Sequence, residues 1–211
     1  MILIGQYDSP FVRRVAVALA HYGFAYEHWP WSVWAEADAI AEFNPLRRVP
    51  VLLLDGGEVL VESSAILDAL DDMVPAERAL VPRSGATRRA VLRICAMATG
   101  LADKAVSLLY EGTLRSEASR SAVWVERCRA QMRDTLSRLD SERAAKGGAF
   151  WLGTFSHADI AVACALRFVG EAHPSLWTAR DYPAIAADAH RCESIVTFQR
   201  CVQPLRVQVS T

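Results

Sequence analysis

Hydrophobic residues in the first third of the chain occur in short runs that polar turns separate. Residues 2–5 form an apolar run, which predicts a buried strand, and apolar positions recur at helical spacing over 12–19, which predicts a helix. Pro10 suits the first turn of that helix, where its missing N–H costs no hydrogen bond, and Gly23 is placed to end it. The opening therefore predicts a strand, a turn and a helix.

The same kind of pattern continues to about Met73. The turn at 55–57, Asp-Gly-Gly, predicts a hairpin between the apolar segments on either side, and Ser63 or Ser64 is placed to cap the helix that follows. The complete predicted order is β-α-β-α-β-β-α, with the first two strands parallel. Its later elements are a strand at 26–29, a helix at 35–43, strands at 49–54 and 59–61, and a helix that follows the serine caps and ends near Met73.

The second half of the chain has helical periodicity only. A proline-punctuated stretch with little periodicity predicts a linker at 76–85, so we expect one domain over 1–75 and an all-helical bundle over 86–211. Two apolar stripes carry this prediction: Val91, Ile94, Cys95, Ala98 and Leu101, then Val123, Val125, Met132, Leu136 and Leu139.

Charge and composition exclude several classes of function. Lys and Arg number 23 against 24 Asp and Glu, so the net charge of −1 gives no field to attract nucleic acid. The N-terminus has no basic leader, and no apolar stretch approaches the roughly 20 residues of a membrane span. We therefore expect a cytoplasmic protein with neither nucleic acid nor membrane as a partner.

The cysteines and histidines give no sign of a metal centre or a disulfide framework. The 5 cysteines are an odd set without CxxC spacing, and most fall in apolar helical patterns, where a buried thiol is the simplest expectation. The 5 histidines have no metal-ligand spacing. We expect no metal cofactor.

Four local motifs identify a family resemblance. Together with the order of elements, they resemble the cytosolic glutathione S-transferase superfamily, with a thioredoxin-like domain followed by a helical domain over nearly the whole chain. The motifs are Ser-Pro-Phe-Val-Arg-Arg-Val at 9–15, Asn-Pro-Leu-Arg-Arg-Val-Pro-Val-Leu at 44–52, Glu-Ser-Ser-Ala-Ile at 62–66 and Ser-His-Ala-Asp-Ile-Ala at 156–161.

The first motif is similar to the serine-type members, such as the plant tau class and several bacterial groups. It departs from the tyrosine-type classes, from the beta class, which has a cysteine here, and from the Ser-Ser-Cys run of the zeta class. The resemblance implies that Ser9 stabilises the thiolate of glutathione. From the residues alone, Ser9 is equally well explained as a helix cap before Pro10.

The resemblance also implies a binding site for reduced glutathione as co-substrate. Val49, before a cis Pro50, would pair through its backbone with the cysteinyl part, and Glu62 and Ser63 would hold the γ-glutamyl end. Arg48 would reach the glycyl carboxylate, whereas Arg47 is nearly as well explained as a solvated cation. From the residues alone, Glu62 with Ser63 is a common helix-start combination, and Val49 is an ordinary core valine.

The remaining assignments concern the second substrate and the helical domain. Phe11, Trp34 and Tyr110 are expected to line an apolar pocket beside Ser9. Ser156 and Asp159 fit a capping pair with a structural role.

The expected function is conjugation of glutathione to a hydrophobic electrophile or glutathione-dependent reduction of a peroxide. The alternative is a non-catalytic glutathione-binding or protein-interaction module with the same fold. The resemblance also implies a homodimer.

Overall fold

A small mixed sheet forms the first half of the molecule. The structure is a computed structural model that describes residues 1–206, so positions 207–211 of the predicted helical domain lie outside the described residues. The strand order is β2-β1-β3-β4, with β1 parallel to β2 and β3 antiparallel to both β1 and β4. The strands are β1 (Ile2–Ile4), β2 (Glu27–Trp29), β3 (Val51–Leu53) and β4 (Val59–Val61).

Three helices complete the predicted β-α-β-α-β-β-α order, which the structure confirms. Gly23 ends the first helix in the left-handed conformation (φ 78°), where glycine meets no steric penalty. Glu62, rather than Ser63 or Ser64, caps the third helix, because its carboxylate accepts from the Ser63 N–H. The helices are α1 (Pro10–Tyr22), α2 (Ala37–Ala41) and α3 (Ser63–Asp72).

The described part of the second half is helical, as predicted. The prediction was wrong for Val123, which was assigned to the second apolar stripe but is 84% exposed. It lies five residues before the buried Cys128, which at 3.6 residues per turn is about 140° around the helix. The helices are α4 (Gly85–Leu114), α5 (Ala122–Ala144), α6 (His157–Ala172), α7 (Pro183–Glu193) and α8 (Val196–Gln199), with a 3₁₀ turn at Glu117–Ser119.

Helix α1 joins the two halves of the molecule. Its apolar side chains, such as Val15, share one buried cluster with Leu52 of the sheet and Cys164 of α6. Helix α1 is therefore packed against both the sheet and the helical bundle.

All 5 cysteines are buried free thiols, which confirms their predicted role as small core residues.

Within residues 1–206, no helix is both long and apolar enough to cross a membrane.

Candidate functional site

One end of the sheet brings three of the sequence motifs together. Ile4 pairs with Val51, and Val51 pairs with Val61, so the residues that follow β1, precede β3 and follow β4 lie side by side. A cavity of about 460 Å³ opens at this end, between the β1–α1 turn, the loop before β3 and helix α4. Residues singled out in the sequence line it, namely Ser9, Pro10, Phe11, Trp34, Arg47, Arg48, Val49 and Tyr110.

Ser9 lies at the N-terminus of α1 with its side chain half-buried. Its hydroxyl accepts from the Val12 N–H at 3.4 Å, so it caps the helix and lines the cavity at the same time. An anion placed beside Ser9 would also feel the positive end of the α1 dipole. Capping and anion stabilisation are therefore compatible roles for this side chain.

The loop before β3 lines the cavity through residues 46–49. The peptide bond between Val49 and Pro50 is cis. Buried Asn44 fixes the loop, because its Nδ2 donates to the Arg48 carbonyl at 2.9 Å and its Oδ1 accepts from the Leu46 N–H at 3.1 Å. Asn44 belongs to one of the four motifs, and its position before Pro45 is the local signal of an Asx turn, from which its role could be predicted.

Glu62 and Ser63 lie at the start of α3 rather than in the wall of the cavity. Glu62 has φ 70°, a left-handed conformation that is uncommon for a residue with a side chain, and its carboxylate accepts from the Ser63 N–H at 3.0 Å. Ser63 is 1% exposed, and its hydroxyl accepts from Nη1 of Arg14 at 3.4 Å. The strained backbone of Glu62 thus directs a carboxylate onto a helix N-terminus.

The two arginines before Val49 differ in their surroundings. Arg47 lines the cavity, also has a positive φ, 53°, and forms an exposed ion pair with Asp38. Arg48 is exposed and lines the cavity, where its charge partly offsets the rise that burial causes in the pKa of Tyr110. Because Arg47 is already paired with Asp38, Arg48 is the better placed of the two to meet an anionic group in the cavity.

Aromatic side chains line the same cavity as Ser9. Trp34 meets Tyr110 edge to face, with ring centroids 4.9 Å apart. Leu109 lines the cavity, whereas its neighbour Leu108 is buried in the core. Trp31 and Phe168 also line the cavity and were not predicted, although Trp31 had a local signal in the Trp-rich stretch at 29–34.

The C-terminal segment supplies another part of the wall that sequence analysis missed. The Arg206 N–H donates to Oδ2 of Asp8 at 3.2 Å, and the Tyr7 N–H donates to Oε1 of Gln203 at 3.1 Å. Burial raises the pKa of Asp8 above its ordinary value. No local motif indicated this contact, because the partners are almost 200 residues apart.

Tyr7 is turned away from the cavity. Its hydroxyl shares a hydrogen bond of 2.8 Å with that of Tyr26, its ring stacks on His28 at 3.9 Å, and burial raises its pKa. A phenol in this setting is poorly placed to activate a ligand in the cavity. Ser9 is the better candidate in this turn.

Comparisons with known proteins agree with this geometry. Family models for the glutathione S-transferase N-terminal and C-terminal domains match residues 3–78 and 122–187. The uncharacterized GST-like protein YibF of Escherichia coli is 31% identical over 169 residues, which cover 80% of this chain and 82% of that protein.

Solved bacterial structures are similar along their whole length. A glutathione S-transferase from Methylobacterium radiotolerans, in complex with glutathione sulfonate, has a TM-score of 0.91 at 29% identity and covers 100% of this chain and 98% of that one. A family member from Pseudomonas fluorescens, with bound glutathione, has a TM-score of 0.83 at 32% identity and covers 97% and 99%. The chain therefore belongs to the glutathione S-transferase family.

Proposed function

We propose that this protein is a glutathione transferase that binds reduced glutathione across the sheet end described above and stabilises its thiolate through Ser9. The observation that carries the proposal is the position of Ser9, which caps α1 and lines the cavity together with Val49. The similar structures from Methylobacterium radiotolerans and Pseudomonas fluorescens, which hold glutathione sulfonate and glutathione, support the choice of ligand.

Thiolate formation is the chemical problem that Ser9 would solve. A free thiol has a pKa of about 8.5, so only a few per cent is nucleophilic at neutral pH. A hydrogen bond from the Ser9 hydroxyl and the positive end of the α1 dipole both favour the anion. Each unit by which they lower the thiol pKa corresponds to about 1.4 kcal/mol.

Backbone and charged groups would orient the tripeptide. The N–H and C=O of Val49 pair with the cysteinyl residue, as an added strand would. The ligand's γ-glutamyl carboxylate replaces the Glu62 carboxylate on the Ser63 N–H, and Glu62 then meets the ligand's ammonium group. Arg48 meets the glycyl carboxylate at the rim of the cavity.

The second substrate is a hydrophobic electrophile held against Phe11, Trp34 and Tyr110. In conjugation, the thiolate sulfur forms a bond to the electrophilic carbon. In a substitution the leaving group departs with the negative charge, and in an addition the anionic adduct takes up a proton. In peroxide reduction, two glutathione molecules are oxidised to the disulfide while the peroxide becomes an alcohol and water. Both reactions need the same thiolate.

The role of Ser9 is tested by the variant Ser9→Ala. We expect turnover of a model electrophile to fall about a hundredfold, the usual effect of losing one donor to a developing anion, while affinity for glutathione changes little. Ser107→Ala is the matched control, since Ser107 lines the same cavity but donates its hydroxyl to the Asp103 carbonyl at 2.8 Å. Stopped-flow or steady-state assays measure turnover, and calorimetry measures affinity.

These measurements distinguish a catalytic role of Ser9 from the two non-catalytic alternatives. Wild-type turnover in Ser9→Ala would refute the role of the hydroxyl. Tight glutathione binding without turnover of any electrophile or peroxide would favour the non-catalytic binding module, and absence of glutathione binding would favour a protein-interaction module.

A homodimer is part of the proposal. Exposed apolar side chains at Leu46, Met73 and Leu92 are suited to an interface between copies. We expect light scattering to give about twice the chain mass of 23.2 kDa. A mass near 23.2 kDa would reject the dimer.

A further inference from the structure

Asp8 is a carboxylate in the wall of the cavity that lacks a counter-ion. It directly precedes Ser9, is half-buried, and lines the cavity together with Ser9 and Phe11. Its Oδ2 accepts from the backbone N–H of Arg206 at 3.2 Å, and within residues 1–206 neither the exposed Arg206 side chain nor another cation forms an ion pair with it. A carboxylate partly withdrawn from water is stabilised by a donor or a positive charge, and here the protein supplies backbone donors only.

The two carboxylates most closely related to Asp8 are both compensated. Asp103 lines the same cavity from α4 and forms an ion pair with Lys104 at 2.9 Å. Glu171, whose negative charge acts on Asp8, forms an ion pair with Arg167 at 2.9 Å. Asp8 therefore differs from both, because its charge is still available to pair with a group on a ligand.

The charge of Asp8 reaches the region proposed for the second substrate. Burial raises the pKa of Tyr110, the charge of Arg48 lowers it, and the charge of Asp8 raises it. The Tyr110 ring, which meets Trp34 edge to face, is thus exposed to an anion and to a cation. In the proposed function Arg48 is occupied by the glycyl carboxylate of glutathione, which leaves Asp8 as the charge that a second substrate would meet.

An uncompensated Asp8 also opposes the chemistry at Ser9. A negative charge close to an acid raises the pKa of that acid, so Asp8 disfavours a thiolate bound beside Ser9. Burial raises the pKa of Asp8 itself, and the backbone N–H groups of Arg206 and Ser9 act against that rise and favour its ionised form. A positive group on the second substrate would pair with the carboxylate and offset its effect on the thiolate.

We infer that Asp8 is a specificity-determining residue that selects electrophiles with an apolar body and a cationic hydrogen-bond donor, such as a primary ammonium group. The inference rests on the proposed function and deepens it by naming the class of second substrate. The apolar body packs against Phe11, Trp34 and Tyr110, while the ammonium group donates to the Asp8 carboxylate. The ammonium group takes no part in bond making, because the thiolate sulfur attacks the electrophilic carbon as before.

The experiment compares three electrophiles that differ in one arm. Each is a chloronitrobenzamide, from which the thiolate displaces chloride, and the amide nitrogen carries an aminoethyl, a propyl or a carboxyethyl arm. The aminoethyl and propyl arms have the same length, so they differ in charge and donors but hardly in shape. The absorbance of the thioether product gives kcat/KM, and each value is divided by the rate of the uncatalysed reaction with glutathione.

The three electrophiles are tested on the wild type, Asp8→Asn and Asp103→Asn. We expect the wild type to prefer the aminoethyl over the propyl arm about tenfold, as for a hydrogen bond between charged groups, and to use the carboxyethyl arm least. Asp8→Asn should lose this preference, although its amide oxygen can still accept from the Arg206 N–H. Asp103→Asn is the matched control, since it removes a compensated carboxylate from the same cavity, and it should keep the preference.

The outcomes separate this inference from the proposed function. If the wild type turns over the aminoethyl and propyl compounds equally well, the inference is overturned and the proposed function stands, whether or not the variants fold. An unchanged preference in Asp8→Asn, or an equal loss in Asp103→Asn, would also overturn it. Calorimetry should show the same affinity for glutathione in all three proteins, and Asp8→Ser replaces Asp8→Asn should the latter not fold. If the wild type neither binds glutathione nor turns over any electrophile, the proposed function fails and the inference fails with it.

Discussion

At the scale of single residues, Gly5 is where the site depends most directly on backbone geometry. It has φ 126°, and a Cβ atom built on it would lie 2.6 Å from Cγ2 of Val12 and 2.8 Å from Cβ of Val49. Such separations are far shorter than van der Waals contact. The absence of a side chain therefore allows the start of α1 and the loop with the cis peptide bond to approach each other.

The variant Gly5→Ala should consequently be both less stable and a weaker binder of glutathione. We expect a loss of about 2–4 kcal/mol in the free energy of unfolding, from backbone strain together with overpacking. Gly23→Ala is the control, since Gly23 also has a positive φ but meets no atom within 4 Å, and it should cost only about 1 kcal/mol. Urea denaturation measures both losses, and equal losses would contradict the steric explanation.

At the scale of elements, sequence periodicity predicted the order of strands and helices because each is amphipathic or buried in a regular way. It failed where one apolar residue lay out of phase, as with Val123, and where an element is short. Helix α2 covers less than the predicted 35–43, because the chain tightens after Ala41 into a turn in which the Phe43 N–H donates to the Ile40 carbonyl. The division into domains at 76–85 stays a prediction.

The candidate site was predictable only in its local parts. Ser9, Val49 and Glu62 stand next to turns or prolines, so short motifs identify them. Arg14 had no such signal, because its hydrogen bond to Ser63 joins residues that are 49 positions apart in the sequence. The part played by Arg206 likewise arises only when the end of the chain folds back over Asp8.

At the scale of the whole molecule, a buried polar network joins the sheet-containing half to the helical half. Asp71 of α3 accepts from the Tyr22 hydroxyl and from Nε2 of His157 on α6, the latter at 3.0 Å. The connecting segment is held in the same place, because the Leu80 N–H donates to the Tyr22 oxygen at 2.8 Å and the His157 N–H donates to the Leu80 carbonyl. Both halves and their connection therefore depend on one cluster.

The protonation of this cluster fixes its response to pH. Burial alone would raise the pKa of Asp71, but hydrogen bonds from His157 and Tyr22 hold it below its ordinary value. Burial lowers the pKa of His157, so the ring is neutral in the folded state and donates through Nε2 to an ionised Asp71. His157 Nδ1 has no hydrogen-bond partner within residues 1–206.

This arrangement predicts that stability falls as the pH drops below about 6.5. Unfolded His157 binds a proton near its ordinary pKa of about 6.5, whereas the folded state resists protonation, so acid favours unfolding by up to about 1.4 kcal/mol per pH unit. His173, whose pKa burial also lowers, adds to the same slope. The lowered pKa of Asp71 acts in the same direction but only below about pH 4.

The variant His157→Gln isolates the contribution of His157, because a glutamine Nε2 can still donate to Asp71 but does not titrate. Urea denaturation between pH 7 and pH 5 should show a shallower loss of stability in this variant, although its stability at pH 7 is lower than that of the wild type. Exposed His190, replaced in the same way, should leave the slope unchanged. If His157→Gln lost stability with falling pH as steeply as the wild type, the acid sensitivity would arise elsewhere. The substitution removes the imidazole of His157 and no other proton-binding group.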